Sequence, residues 1–192
     1  VASIGFNMDQ ALTLEKKISK ENLPFEVRYV SGLTYEHMDM NLDNPILKDK
    51  NVRKALLMGI DRQKMTQALF EGKQLVAPHF ISPRDPWFAK LPKALKSPAP
   101  YSKKEAEKLL ESAGWKLGDD GYRYKDGKKL SLVFSTTATN RLRESVQVYI
   151  VDQWKKIGIE TSIKNVIART FFSELLNRRK LEGLAMFAWT FL

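Results

Sequence analysis

Cysteine is absent from all 192 residues, which excludes disulfides, a thiolate nucleophile and any cysteine metal site. Histidine is nearly as scarce. His37 and His79 stand alone, and a pair so far apart, with no thiolate to complete a ligand set, does not make a zinc site. No apolar run approaches the ~20 residues that cross a bilayer, although 43% of residues are hydrophobic and 28% charged, as is ordinary for a globular domain. No nucleophile elbow, phosphate loop or dinucleotide fingerprint occurs. The adjacent acids Asp119 and Asp120 sit in turn chemistry, where aspartate is favoured for backbone reasons. Nothing therefore supports catalysis: no catalytic residue, no metal ligand and no cofactor is expected.

The charge is of unequal sign, with 32 basic against 22 acidic residues and a net charge of +10. Such an excess raises nucleic acid as a partner. The basic residues are interleaved with acids throughout, and the densest run is only Arg178, Arg179 and Lys180. With no basic stripe or aromatic RNA-binding signature, the expectation is no nucleic acid. A basic nucleic-acid-binding domain remains the rival class, and it would require steeply salt-dependent DNA retention.

The length suffices for one solid core or two modest lobes, and one main lobe with an appended segment is expected. Residues 2–6 read as a short strand, Leu12, Leu14 and Ile18 mark a helix, and residues 25–30 read as another strand. Residues 32–42 alternate with period two, placing Tyr35, His37, Asp39 and Asn41 on one side and Glu36, Met38 and Met40 on the other. Asp49 can cap a helix with Val52, Ala55, Leu56, Gly59 and Ile60 on one face. Asp61 can cap a second, with Met65, Ala68 and Leu69 inward and Gly72 at a left-handed end.

Six of the eight prolines fall within residues 78–100, which reads as an extended loop. Ser102 and Glu105 form a capping box for a helix whose buried stripe is Ala106, Leu109, Leu110 and Ala113, stopped by Gly114. Turn signals at Asp120-Gly121 and Asp126-Gly127 mark a polar hairpin. Leu130, Leu132 and Phe134 then alternate in a strand that leads through a polar turn into a long helix (Leu142, Val146, Tyr149, Ile150, Trp154, Ile157). Ile159, Thr161 and Ile163 begin the next strand. A strand–helix–strand of this length implies a parallel pair whose carboxyl ends face a ligand. Thr170 can cap a last helix with Phe172, Leu175 and Leu176, and residues 183–189 return as a strand.

The tract NLDNPILKDKNVRKALLMGIDRQKMTQALFEG (residues 41–72), the helix ending in Ala113, Gly114 and Trp115, and the unit over residues 130–163 follow one another as they do in family 5 of the extracytoplasmic solute-binding proteins. This is the peptide and nickel ABC-transporter type, and the chain resembles it from about Ser31 to Trp189. The resemblance implies an α/β fold, a periplasmic-binding-protein-like (type II) lobe with a mixed sheet flanked by helices. Residues 1–30 would be a remnant of a first lobe, 31–42 an interlobe crossing strand, and 43–192 most of the second ligand-binding lobe. It implies a peptide ligand held between two lobes, an ABC transporter permease as partner, and a periplasmic or cell-surface location. The alternative within this fold is a receptor for a nickel chelate or another small solute. Family members are longer than this chain, the opening residues carry no signal sequence, and the chain halts within what reads as a buried strand. The expectation is therefore an excised piece that binds ligand weakly by itself and whose uncovered lobe face could pair with a second copy.

The resemblance also suggests site residues. Tyr35, His37 and Asp39 lie on the strand that would line the cleft. Asp39 matches an acidic cleft position of the peptide binders, and His37 a position often tyrosine there; alternation alone leaves open which side of the strand is wet. Asn140 and Arg141 match a polar turn at a helix start, where N–H groups can meet a carboxylate, and capping accounts for Asn140 equally well. Trp189 matches a tryptophan near the ligand, with core packing as the alternative. Met186 stands where some peptide binders carry arginine, a place Arg178 or Arg179 could fill.

Overall fold

The computed structural model describes residues 7–83, 85–93, 96 and 99–190. The strand expected over residues 2–6 lies outside them. Helix α1 (Met8–Glu21) is opened by Asn7, which makes a reciprocal capping box with Gln10, and closed by a left-handed Asn22. Ala11 is its one buried residue. The helix is tied down by Glu15, which accepts from Lys73 Nζ at 2.9 Å and from the Tyr29 hydroxyl at 3.1 Å. Residues 25–30 do not form the expected strand. Phe25 and Val30 are exposed there, and strand propensity is realised only where a neighbouring strand offers cross-strand packing.

The body begins with β1 (Thr34–Met40), followed by α2 (Lys50–Met58) and α3 (Arg62–Phe70). Asp49 and Asp61 cap the two helices as expected, accepting from the Asn51 and Lys64 amides. Val52, Ala55, Leu56 and Ile60 are all buried. In α3 the inward side is Met65, Thr66, Leu69 and Phe70, and Ala68 faces solvent. The correction follows from size: the helix turns its larger side chains inward, since burying Phe70 removes far more apolar surface than burying Ala68. The proline-rich stretch is irregular apart from a 3-10 turn, Pro86–Lys90.

Helix α4 (Lys103–Ser112) is capped by Ser102, whose hydroxyl accepts from the Glu105 amide. The second half of the expected box is missing. The Ser102 amide donates instead to Met58 O, locking α4 onto the end of α2, and Glu105 pairs with Lys108. At the other end, Gly114 adopts φ 88°. Its amide donates to Glu111 O and that of Trp115 to Leu110 O, a Schellman closure that glycine permits without strain. Strands β2 (Lys116–Leu117), β3 (Arg123–Lys125) and β4 (Lys128–Lys129) form a small antiparallel meander.

Then come β5 (Ser131–Thr136), α5 (Arg141–Lys155), β6 (Glu160–Ile163), a single helical turn α6 (Ala168–Thr170) continuing into a π-helical turn (Phe171–Leu176), and β7 (Leu184–Thr190). Thr170 lies inside this last helical segment rather than capping it, and Phe171, not Phe172, is the buried ring. The main sheet has the order β1-β7-β5-β6, with β5 parallel to both β6 and β7, and β1 antiparallel on the edge. Alternation divides its two faces. Met38, Met40, Leu132, Phe134, Leu184 and Met186 meet α2, α4 and α5 in the larger core. Ala185 and Phe187 meet Phe171, Leu175, Leu176 and Leu181 on the other. Trp154 lies at the centre of the larger core, fully buried, with its indole N–H donating to Leu56 O at 2.9 Å. Truncating such a residue to alanine removes about 3–5 kcal/mol.

Candidate functional site

The parallel strands end unequally. β5 stops with Thr136 opposite Met186, whereas the β1–β7 ladder continues as far as Thr34 opposite Thr190. A two-stranded ribbon thus projects past the carboxyl ends of β5 and β6. Helix α5 lies on one face of the sheet and the α6–π segment on the other. Strand β5 has β6 on one side and β7 on the other. In open α/β sheets, divergent crossovers of this kind leave a crevice at the carboxyl ends of the strands.

Aromatic rings pave one side of the ribbon. Tyr35 and His37 have ring centroids 5.0 Å apart. His37 meets Phe187 edge-on at 4.3 Å. Phe187 meets Phe171 and Phe172 at 5.8 Å each, and Trp189 at 6.4 Å. Such edge-to-face contacts stabilise a wall beyond the area it buries. Its outer end is open: Trp189 is 56% exposed, and Phe172, which meets Phe187, is exposed as well. The π-helical turn that supplies Phe172 is a geometry enriched at functional sites. His37 Nε2 lies 3.5 Å from Asp39 Oδ1, and its Nδ1 is buried with no hydrogen-bond partner among the described residues.

The opposite side of the rim is polar. Ala138 N donates to Val166 O at 2.7 Å, Thr139 is held at φ 71°, and its amide donates to Glu144. Asn140 Oδ1 accepts from the Arg143 amide at 3.1 Å, opening α5. Beneath the rim the ends of β5 and β6 are joined through side chains. Gln147, 1% exposed, donates from Nε2 to Phe134 O at 2.9 Å and to Asn165 Oδ1 at 3.0 Å, and accepts from Asn165 Nδ2 at 2.8 Å. Asn165 Oδ1 also accepts from the Thr136 amide. A buried, reciprocally bonded network of this kind is rigid.

The structure brings Tyr35, His37 and Trp189 together on the aromatic wall. Asp39 follows on the same side of β1, opposite Ala185 and deeper along the sheet. Asn140 sits at the rim with its carboxamide oxygen committed to capping. Arg141 is directed elsewhere, lining an open groove with Leu69, Glu144, Ser145, Val148 and Tyr149 between α3 and α5. Burial, reinforced by the charge of Asp61, raises the Tyr149 hydroxyl above its usual range. The arginine that reaches the rim is Arg143, two residues on, paired with Glu36. Met186 is buried in the larger core, and Arg178 and Arg179 are paired with Glu174 and Asp43 on the surface. Among the described residues, no group of three or more histidine or acidic side chains is placed to hold a metal ion.

Several of these residues are not legible in the local sequence. Phe187 and Gln147 reside within apolar patterns that gave no cue to their role. Glu36 did carry a signal: a carboxylate on the same side of a strand as Met38 and Met40 marks a place where a cationic partner would be favoured. Arg143, three residues after a capping asparagine, was placed to supply it.

This architecture is that of a type II periplasmic-binding-protein lobe. The chain belongs to the bacterial extracellular solute-binding proteins, family 5, whose middle portion matches residues 3–191. The oligopeptide-binding protein AppA of Bacillus subtilis is 37% identical over 137 residues, covering 70% of this chain and 25% of that protein. Among solved structures, an oligopeptide-binding protein from Thermus thermophilus complexed with a pentapeptide is 31% identical, with a TM-score of 0.72 over 83% of this chain and 28% of its own. NikZ from Campylobacter jejuni in complex with Ni(L-His) is 28% identical, with a TM-score of 0.74 over 92% of this chain and 34% of its own. The chain therefore spans about a quarter to a third of the length of these relatives. The family is one of binding proteins, and its members are extracellular. Among the described residues, no helix is long and apolar enough to cross a membrane.

Proposed function

We propose that this chain forms the greater part of one lobe of a two-lobed receptor, which binds peptides in the cleft between its lobes and delivers them to the permease of an ABC importer. On this proposal residues 1–30 close the first lobe, 31–42 cross between the lobes, and 43–192 build the second. The protein works outside the cytoplasmic membrane and transforms nothing chemically. The observation that carries the reading is the aromatic wall of Tyr35, His37, Phe187 and Trp189, open at its outer end beside a polar rim. A peptide presents alternating polar backbone and variable side chains, and a surface that is apolar on one side and hydrogen-bonding on the other suits both. Similarity to two oligopeptide-binding proteins supports the same class.

A nickel chelate or another small solute is the second reading, favoured by the similarity to NikZ and by the placement of His37 on the wall. Native mass spectrometry of the two-lobed protein, purified without refolding, separates the two. A ladder of peptide masses supports the peptide receptor. A single small adduct or a metal chelate refutes it in favour of the second reading.

A further inference from the structure

The projecting ribbon poses a mechanical problem. β1 is an edge strand, and beyond the end of β5 its ladder with β7 has no further strand beside it among the described residues. Two-stranded ribbons hold their shape poorly in water. Yet the ribbon carries Tyr35, His37 and Trp189, and their use as a binding wall depends on where they stand relative to the start of α5.

One side chain bridges the gap. Glu36 emerges from the side of β1 opposite the aromatic wall and meets Arg143 in the first turn of α5, 107 residues further along the chain. Arg143 Nε lies 3.1 Å from each carboxylate oxygen, and its NH2 is 3.0 Å from Oε1. The remaining arm, NH1, donates to Thr137 Oγ1 at 2.8 Å. Three elements are thus gripped by one planar group: the edge strand, the turn after β5, and the helix. The Arg143 side chain is only 17% exposed against 47% for Glu36, so the cation is the sheltered partner and its geometry is the more restricted. The other acid nearby, Glu144, is engaged by the Thr139 amide and leaves the pairing undivided. A lysine could neutralise Glu36 but could not span carboxylate and hydroxyl with a fixed fork.

We propose that Arg143 is the positioning residue of this site, clamping Glu36 and Thr137 so that the β1–β7 ribbon and its aromatic wall are held at a fixed distance from the start of α5. The ligand that the wall receives rests on the peptide-receptor reading; the clamp itself does not.

The test uses the two-lobed protein with R143A, R143K, E36A, the double variant E36A/R143A and the exchanged pair E36R/R143E. Three quantities are read: amide hydrogen exchange over residues 34–37 and 187–190 without ligand, the dissociation rate of a defined pentapeptide bearing one aromatic side chain, and Tm. R143A and E36A should each speed exchange in those segments about tenfold, and the double variant no further, because the two residues act as one unit. Pentapeptide release should quicken about five- to tenfold with the association rate nearly kept, while Tm moves by no more than about 2 °C, as for a partly exposed pair. R143K should rescue little, and the exchanged pair only in part, because it restores the ion pair while a glutamate at 143 no longer reaches Thr137 with a guanidinium fork. Unchanged exchange in R143A, or additive effects in the double variant, would overturn the proposal. If the wild-type protein holds no pentapeptide, the peptide-receptor reading fails, and the exchange pattern alone still decides the clamp.

Discussion

Replacing Gln147 with leucine tests whether the buried amide network holds the strand ends beneath the rim. Leucine nearly conserves shape but deletes three hydrogen bonds, two donated to Phe134 O and Asn165 Oδ1 and one accepted from Asn165 Nδ2. The Phe134 carbonyl keeps the Lys164 amide at 3.1 Å, and Asn165 Oδ1 keeps the Thr136 amide at 2.9 Å. The group that loses its partner outright is Asn165 Nδ2. At about 1 kcal/mol net for each lost bond, and about 1 kcal/mol more for an amide left part-buried, the loss is about 3–4 kcal/mol. The greater apolar burial of leucine returns about 1–2 kcal/mol. A net destabilisation of about 2 kcal/mol is expected in urea unfolding, equivalent to a Tm drop of about 4–8 °C for a chain of this size. Hydrogen exchange at Thr136 and Thr137 should quicken with it. Gln147→Glu should cost more, because it buries a negative charge against two acceptor oxygens, Phe134 O and Asn165 Oδ1. A Gln147→Leu variant within about 0.5 kcal/mol of wild type would refute the reasoning, since that is the range of an ordinary surface substitution.

Three further outcomes are expected. A Cβ on Gly183 would stand 2.4 Å from the carbonyl oxygen of Val133, a backbone atom that cannot swing aside, so Gly183→Ala should lose about 1–3 kcal/mol by denaturant unfolding; a neutral result would show that β5 and β7 have slack between them. Hydrogen bonds from the Tyr124 hydroxyl and then the Tyr122 amide hold the Asp120 carboxyl below its ordinary range. Its contribution is therefore complete above the unfolded carboxylate value near 3.9 and is lost as pH falls through the lower folded value. The protection of amides in the β2–β4 meander, corrected for the intrinsic pH dependence of exchange, should accordingly stay flat from pH 7 to about 4 and fall below it, and Asp120→Asn should abolish that fall; an identical acid profile in the variant would disprove the assignment. Trp189→Ala should leave Tm within about 2 °C, since the ring is 56% exposed, yet weaken pentapeptide binding by the two-lobed protein about tenfold; undiminished affinity would remove Trp189 from the wall's working surface.

Local chemistry made the elements legible. Asp49, Asp61 and Ser102 announced three helix starts, Gly114 a stop, and the period-two run through residues 32–42 a strand whose methionines turn one way and rings the other. These signals act within a turn or two of chain, so they survive being read without a third dimension. The failures occurred where a neighbour distant in sequence outbid the local preference. The Ser102 amide was taken by Met58 O instead of by Glu105, Ala68 was turned outward as Phe70 went in, and residues 25–30, with suitable side chains, had no strand to join.

The site divides along the same line. Alternation put Tyr35, His37 and Asp39 on one side of β1, and the resemblance singled out Trp189. Only the register of β1 against β7, pairing Tyr35 with Trp189 and His37 with Phe187, made a continuous wall of them. Arg141 and Arg143 lie in the same turn and are indistinguishable as a composition, but a helix advances its side chains by about 100° per residue. Two positions therefore separate a groove beside α3 from the rim of the sheet. By itself the sequence determined the family, the order of elements and the inward stripe of most helices, because these depend on local periodicity and capping. The tertiary structure decided which arginine faces Glu36, which amide Gln147 secures and how far the ribbon extends past β5, because each of these is a contact between residues that only folding brings together.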